Sequence, residues 1–176
     1  VQFAEDQGIH VINTPAASSS AVAELVFAHL FGLARFLHQA NREMPLEGDT
    51  RFNDLKKMYA EGIELRGKTL GLIGFGRIGQ ETAKIALGIG MNVIATDIFI
   101  QNATISLNLF NGQKVNFNID TVSKEEVFKE ADFISIHTPS TEKYLIDEKE
   151  IQQMKPGVGI INTARGGVIN EVALVN

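Results

Sequence analysis

Gly74-Phe75-Gly76-Arg77-Ile78-Gly79 sets three glycines at the first, third and sixth places of a turn between an apolar run and a helical one. The first glycine permits a tight turn, the second lets backbone approach a diphosphate, and the third lets helix pack on strand. The phosphates then meet free N–H groups at the positive end of the helix. A carboxylate, Asp97, closes the next apolar run 18 residues after Gly79, where it can accept hydrogen bonds from ribose hydroxyls. The same pattern fits a plain structural turn with a surface Asp; strand, helix and acid at these distances favour a dinucleotide. Ile98-Phe99-Ile100-Gln101 follows without Arg or Lys, so nothing is offered to a 2′-phosphate, and NAD is expected over NADP.

Two further clusters stand at the ends of apolar runs: His137-Thr138-Pro139, and Asn162-Thr163-Ala164-Arg165-Gly166-Gly167. In an open α/β sheet the ligand lies beyond the carboxyl ends of the strands, so all three clusters converge on one crevice. Arg165, followed by two glycines that clear space, can grip a carboxylate through two parallel hydrogen bonds, or be an ordinary surface Arg in a turn. His137 sits before Thr-Pro and reads as structural or cofactor-lining rather than as an acid or base. His10, His29 and His38 show no metal-ligand spacing and are expected to be structural; no metal site is expected.

The elements that must position these residues alternate. Ile9 to Ile12 is a short apolar run ended by Asn13-Thr14-Pro15, and Ser18-Ser19-Ser20 offers N-caps to an amphipathic helix extending roughly to Arg42. A polar passage with Pro45, Gly48 and Asp49 leads through a weakly amphipathic stretch, Phe52 to Tyr59. Strands are expected at 68–73, 91–96, 133–136 and 158–161, with helices at 80–87, 124–130 and 148–154 and a last one cut off by the chain end. Alternation of this kind means an α/β fold, a doubly wound parallel sheet of Rossmann type. Residues 103–119 break the rhythm, alternating polar and apolar around Asn111-Gly112. A two-residue turn there would mix polar and apolar on one face. With Phe110-Asn111-Gly112 as a three-residue loop, Leu107 faces Val115, Ile105 faces Phe117 and Ala103 faces Ile119, giving a hairpin with one face against another surface.

Composition bounds the partners. The 176 residues are 44% hydrophobic and 21% charged, enough for a sizeable core, with no uninterrupted apolar stretch long enough to span a membrane. Net charge is −5 with no basic run, which leaves little from which to build a nucleic-acid surface. The chain has no cysteine and does not open on a basic-then-apolar leader, so a reducing cytoplasmic setting is expected.

Gly8-Ile9-His10-Val11-Ile12-Asn13-Thr14-Pro15, Ala21-Val22-Ala23-Glu24, Glu64-Leu65-Arg66-Gly67-Lys68, Gly74 to Gly79 and Asn162 to Gly167 together resemble the NAD-dependent D-isomer-specific 2-hydroxyacid dehydrogenases. The resemblance implies a two-domain homodimeric enzyme whose long helix, here 20–42, lies near the interface. It places 1–17 at the end of the substrate-domain segment and crossover, and 18–176 in an incomplete NAD-binding Rossmann domain carrying the hairpin at about 103–119. Carried over residue by residue, it implies that Arg77 and Ile78 bind the pyrophosphate and that Asp97 binds the ribose. His137, Thr138 and Pro139 line the adenosine side, Thr163, Ala164 and Arg165 the nicotinamide side, and Arg165 is the catalytic holder of the substrate carboxylate.

The implied reaction is oxidation of a D-2-hydroxy acid to the 2-keto acid. D-3-phosphoglycerate, the substrate that feeds serine biosynthesis, is the expected one; glyoxylate or hydroxypyruvate reduction and D-lactate oxidation are alternatives. An NAD-sensing module of corepressor type is the reading from another class. The family's general acid/base His, in a Pro-His-Ile-Gly motif, and its partner Glu have no counterpart in these 176 residues. The chain by itself is therefore expected to hold cofactor without turnover, and the strand at 158–161 to be left as an apolar edge.

Overall fold

The computed structural model describes residues 1–14, 16–140 and 143–175. A short α1 (Gln2–Asp6) buries none of its residues, and the apolar run after it joins no element: Ile9, Val11 and Ile12 are exposed, while Pro15 lies outside the described residues. The long helix expected from Ser20 to Arg42 is instead two. The first, α2 (Ser19–Ala34), ends at a break where Phe36 takes a left-handed conformation (φ 53°), and α3 (Leu37–Tyr59) then runs through Pro45 and Gly48, where a polar passage was expected. Tertiary contacts set the break, because Ile63 N–H donates to Ala34 C=O at 2.9 Å and the Phe36 and Tyr59 rings lie 6.4 Å apart. Ser18 stands at the N-cap of α2, but its side chain makes no capping hydrogen bond.

The sheet follows the expected plan with ends shifted by a residue or so: β1 (Thr69–Ile73), α4 (Arg77–Gly88), β2 (Asn92–Thr96), β3 (Asn102–Asn108), β4 (Lys114–Asp120), α5 (Lys124–Glu130), β5 (Phe133–Ile136), α6 (Glu148–Ile151), β6 (Gly159–Asn162) and α7 (Glu171–Val175). Four strands form a parallel sheet in the order β2-β1-β5-β6, so among the described residues β6 is an edge strand, as expected. Alternate residues of β1 face opposite layers, and both are apolar, the pattern of a parallel strand covered on both sides. Leu70 and Leu72 belong to a core cluster with Val26 and Leu30 of α2 and Ala83 and Ala86 of α4; Ile73 belongs to a second, with Val127 and Phe128 of α5 and Ile146. A Cβ on Gly71 would lie 2.7 Å from Val127 Cγ1 and 2.8 Å from Ala131 Cβ, so only glycine lets α5 sit this close to β1.

The hairpin has the register derived from parity: Leu107 opposite Val115, Ile105 opposite Phe117 and Ala103 opposite Ile119, with Gly112 at φ +82° in the loop. Ile105 and Ile119 are buried in the cluster that includes α4. Thr121, just past β4, makes a parallel bridge to Ala95 of β2. Since β4 thus runs in the direction of the sheet, the hairpin tip lies at the amino-terminal edge of the strands. The tip therefore points away from the edge where ligands bind, and only the base of the hairpin stands beside Asp97.

Candidate functional site

The strand pairings fix the site before any side chain is considered. Ile73 is in register with Thr96 on one side and Ile136 on the other, and Ile136 with Asn162, so four strands end on one line. At about 4.8 Å between neighbours, Asp97 and Thr163 stand at opposite ends of a crevice roughly 14 Å long. The glycine turn and His137 lie between them. The structure thus brings together all three clusters expected to converge.

The three glycines differ in what surrounds them. Gly74 has φ +96°, and a Cβ there would lie 2.8 Å from His137 O. A Cβ on Gly79 would fall 2.3 Å from Gly74 O, which the helix start cannot accommodate, whereas around Gly76 nothing lies within 4 Å. The first and third are thus closed by the protein and the second is open, as a turn with backbone facing a diphosphate requires. Gly76 caps α4 without a side-chain partner, and no acid occupies the first turn, so the positive end of the helix is not neutralised. Arg77, exposed, and Ile78 follow directly.

Asp97 is bound on both oxygens. Phe75 N–H donates to Oδ2 at 2.6 Å, while Phe99 N–H and Ile100 N–H donate to Oδ1 at 2.8 and 3.0 Å. Burial pushes the Asp97 carboxyl up, but the three backbone donors together outweigh it and hold the group below the usual carboxylate range. Both acceptor sites of Oδ1 are thus used, while Oδ2, with one donor, retains lone-pair capacity for another. The turn that clamps the acid carries Ile98 and Phe99, both strongly exposed.

On the other side of the crevice, burial pushes the His137 imidazole down to about 4, so the ring is neutral near pH 7. Its Nε2, Thr138 Oγ1 and Thr163 Oγ1 are buried without a hydrogen-bond partner. Buried polar atoms are nearly always satisfied, and three orphans at two adjacent strand ends fit a ligand that brings several polar groups, as a dinucleotide does. Pro139 follows, exposed.

Asn162 ties the last loop. Its Oδ1 accepts from Ala164 N–H at 3.0 Å and its Nδ2 donates to Arg165 O at 2.9 Å. The sequence reading did not single out this positioning role, although Asn at a strand end commonly folds back on the backbone ahead of it. Arg165 is exposed, and apart from one Nη1 donor to Ala164 O at 2.8 Å its guanidinium meets no carboxylate among the described residues. His29 and His38, both exposed, line an open groove beside Ile160 to Asn162, and His10 is exposed in the amino-terminal segment.

The family model described as D-isomer specific 2-hydroxyacid dehydrogenase, NAD binding domain, matches residues 27–176. Over almost its whole length the chain is 44% identical to a hydroxypyruvate reductase of Thermotoga maritima, covering 52% of that protein, and 38% identical to a D-3-phosphoglycerate dehydrogenase of Methanocaldococcus jannaschii, covering 31%. Among solved structures, a D-lactate dehydrogenase from Aquifex aeolicus complexed with NAD and lactic acid superposes with a TM-score of 0.71 at 32% identity, over 98% of this chain and 48% of that one. The chain thus spans about half or less of the length of the proteins it matches.

Proposed function

We infer the function from one premise: this chain belongs to the D-isomer specific 2-hydroxyacid dehydrogenase family and carries its NAD-binding domain. In our reading it is the cofactor-holding half of an oxidoreductase that interconverts a D-2-hydroxy acid and the corresponding 2-keto acid. The observation that carries this is the crevice itself, with a clamped acid at one end, an open glycine turn in the middle, and an unpaired arginine beside buried orphan hydroxyls at the other.

NAD, when bound, takes up the hydride that leaves C2 of the hydroxy acid. The residues of the chain do the rest by holding. The N–H groups around Gly76, with Arg77 and Ile78, receive the pyrophosphate. Asp97 accepts from the adenosine ribose, and His137, Thr138 and Pro139 line that side. Thr163 and Ala164 face the nicotinamide side, and Arg165 fixes the substrate carboxylate by two parallel hydrogen bonds. The hydroxyl proton needs a base, which Arg165, always charged, cannot be. In our reading His137 lines the cofactor side and is not assigned as that base.

The same reading assigns 1–17, with its exposed Ile9, Val11 and Ile12, to the neighbouring substrate domain, and 18–176 to the nucleotide domain. It uses the region 20–42, where Leu25, Phe31 and Leu37 are exposed, as the contact with a second copy in a homodimer. D-3-phosphoglycerate is the substrate suggested by the motifs; hydroxypyruvate is a second reading, favoured by the 44% identity to a hydroxypyruvate reductase.

The test is calorimetric titration of the full-length protein with NADH and NADPH, followed by turnover on 3-phosphoglycerate, hydroxypyruvate, glyoxylate and pyruvate in their respective directions. Saturable NADH binding with much weaker NADPH binding, and turnover on one of these acids, is expected. NADH binding without turnover on any of them would leave the sensing module as the better account, and no NADH binding by the folded protein would overturn both.

A further inference from the structure

The strand β3 reads Asn-Ala-Thr-Ile-Ser-Leu-Asn and contains no charge and no proline. Exposed sheet edges are ordinarily protected by lysines, prolines or bulges, because unpaired backbone groups are a template for another strand. β3 has none of these protections. Among the described residues its only strand partner is β4, which lies on the β2 side through the Thr121–Ala95 bridge, so β3 is the outermost described strand there.

Hydrogen-bond parity shows which groups are free. Leu109 N–H donates to Gln113 O and Thr121 N–H to Gln101 O, each at 2.8 Å, closing the two ends of the hairpin. Odd-numbered residues of β3 therefore direct their backbone groups at β4, and Asn102, Thr104, Ser106 and Asn108 direct theirs outward. Among the described residues no hydrogen bond takes up those outward groups. Side chains alternate in the same period. Ile105 is buried toward α4, while Thr104 and Ser106 lie on the other face, bonded to Asn118 and Asn116 at 2.9 and 2.8 Å.

We propose that β3 pairs with β3 of a second copy about a two-fold axis, joining two hairpins into one antiparallel sheet of order β4-β3-β3-β4. A two-fold axis pairs a strand with itself only antiparallel, and self-complementarity then decides the register. Centred on Ile105, Thr104 meets Ser106 of the second copy and Asn102 meets Asn108, so outward backbone groups face each other along the whole strand. On the inner face Ala103 meets Leu107, apolar on apolar. The chain carries a net charge of −5, but β3 contributes none of it, so nothing on the strand repels its copy across the axis. A foreign strand would find backbone here but no charge on β3 to select it, whereas the strand's own sequence matches itself at each step. The contact is separate from the helical one assigned to 20–42, and with it would make a dimer of dimers.

Sedimentation equilibrium on the full-length protein tests this. Ser106→Pro removes an outward N–H and no backbone bond of the hairpin, at the cost of the exposed Ser106–Asn116 side-chain bond; it is expected to halve the molecular mass while leaving NADH binding unchanged. Thr104→Lys, which keeps the backbone donor and places a charge on the edge, should do the same, so the result does not depend on how proline is tolerated. In the paired variant Thr104→Cys with Ser106→Cys, facing residues across the axis have Cα atoms about 5.5 Å apart, inside the roughly 4.4–6.8 Å range for a disulfide. Mild oxidation should give a covalent dimer joined from 104 to 106. A mass unchanged by both edge variants, or no cross-link, overturns the proposal. So does hydrogen exchange at Thr104 and Ser106 that is fast at all concentrations, or slow but independent of dilution, since the latter means that the same chain covers the edge.

Discussion

The carboxylate of Asp97 and the backbone N–H of Phe75 are joined by a hydrogen bond of 2.6 Å, so the acid at the end of β2 holds the glycine turn as well as facing the crevice. Asp97→Ala is therefore expected to act twice. NADH affinity should fall by roughly 10- to 100-fold, and stability by about 2 kcal/mol, because three backbone donors lose their acceptor. Asp97→Asn, which keeps one acceptor oxygen, should fall between. Calorimetric titration and denaturant unfolding of both variants check this; loss of affinity with unchanged stability would show that the clamp contributes nothing to the fold.

The glycines of the turn should separate by position. Gly79→Ala puts a Cβ 2.3 Å from Gly74 O and should cost several kcal/mol or prevent folding. At Gly76 nothing lies within 4 Å, so Gly76→Ala should fold with near-normal stability and lose NADH affinity if backbone at that point meets the diphosphate. Thermal melts and titrations on the two variants decide between a turn that merely packs and one that also binds.

His137 gives a pH signature. Its folded value, about 4, is below its ordinary value of 6.5, because burial disfavours the charged ring. Between those values the unfolded chain binds a proton that the folded chain does not, so stability is full above 6.5 and falls as pH drops toward 4. At about 1.4 kcal/mol per unit the loss from this residue approaches 3 kcal/mol. Below that range Asp97 and Asp132, both held under the usual carboxylate value in the fold, add their own loss as they are protonated. Unfolding measured from pH 7 to 4.5 should therefore be steeper in the wild type than in His137→Asn. Parallel curves would mean that the ring charges in place.

What could be read from the sequence was whatever local chemistry decides. The hairpin register followed from parity, because only a three-residue loop with Gly112 in the left-handed region keeps Ile105 and Ile119 on one face. The roles of the three glycines followed from backbone geometry in the same way. The break between α2 and α3 did not, because no glycine or proline marks Phe36. Its left-handed turn is set by Ile63 and Tyr59, more than twenty residues on, through contacts that no periodicity carries. Pro45 and Gly48 misled in the opposite direction, since the non-helical residue inside α3 is Arg51. In the site, the residue types were legible, but the three N–H donors on Asp97 and the Asn162 tether on Arg165 depend on how turns close, which residue identity alone leaves open.

Arg165 separates binding from chemistry. Its guanidinium faces no carboxylate of the described chain, and its loop is held by Asn162 through the bond to Arg165 O at 2.9 Å. If the full-length protein has the proposed activity, Arg165→Ala should leave the NADH dissociation constant within about twofold and lower kcat/KM for the 2-hydroxy acid by roughly 10²–10³-fold, the scale of losing a preorganised charged donor. Arg165→Lys restores the charge without the parallel pair of donors and should recover only part of this. Asn162→Ala leaves the guanidinium intact but loosens its loop. It should give a smaller loss, expressed more in KM than in kcat, with stability little changed because Asn162 is exposed. Equal losses in all three variants would place the effect in the loop backbone, and unchanged turnover in Arg165→Ala would remove the residue from the reaction.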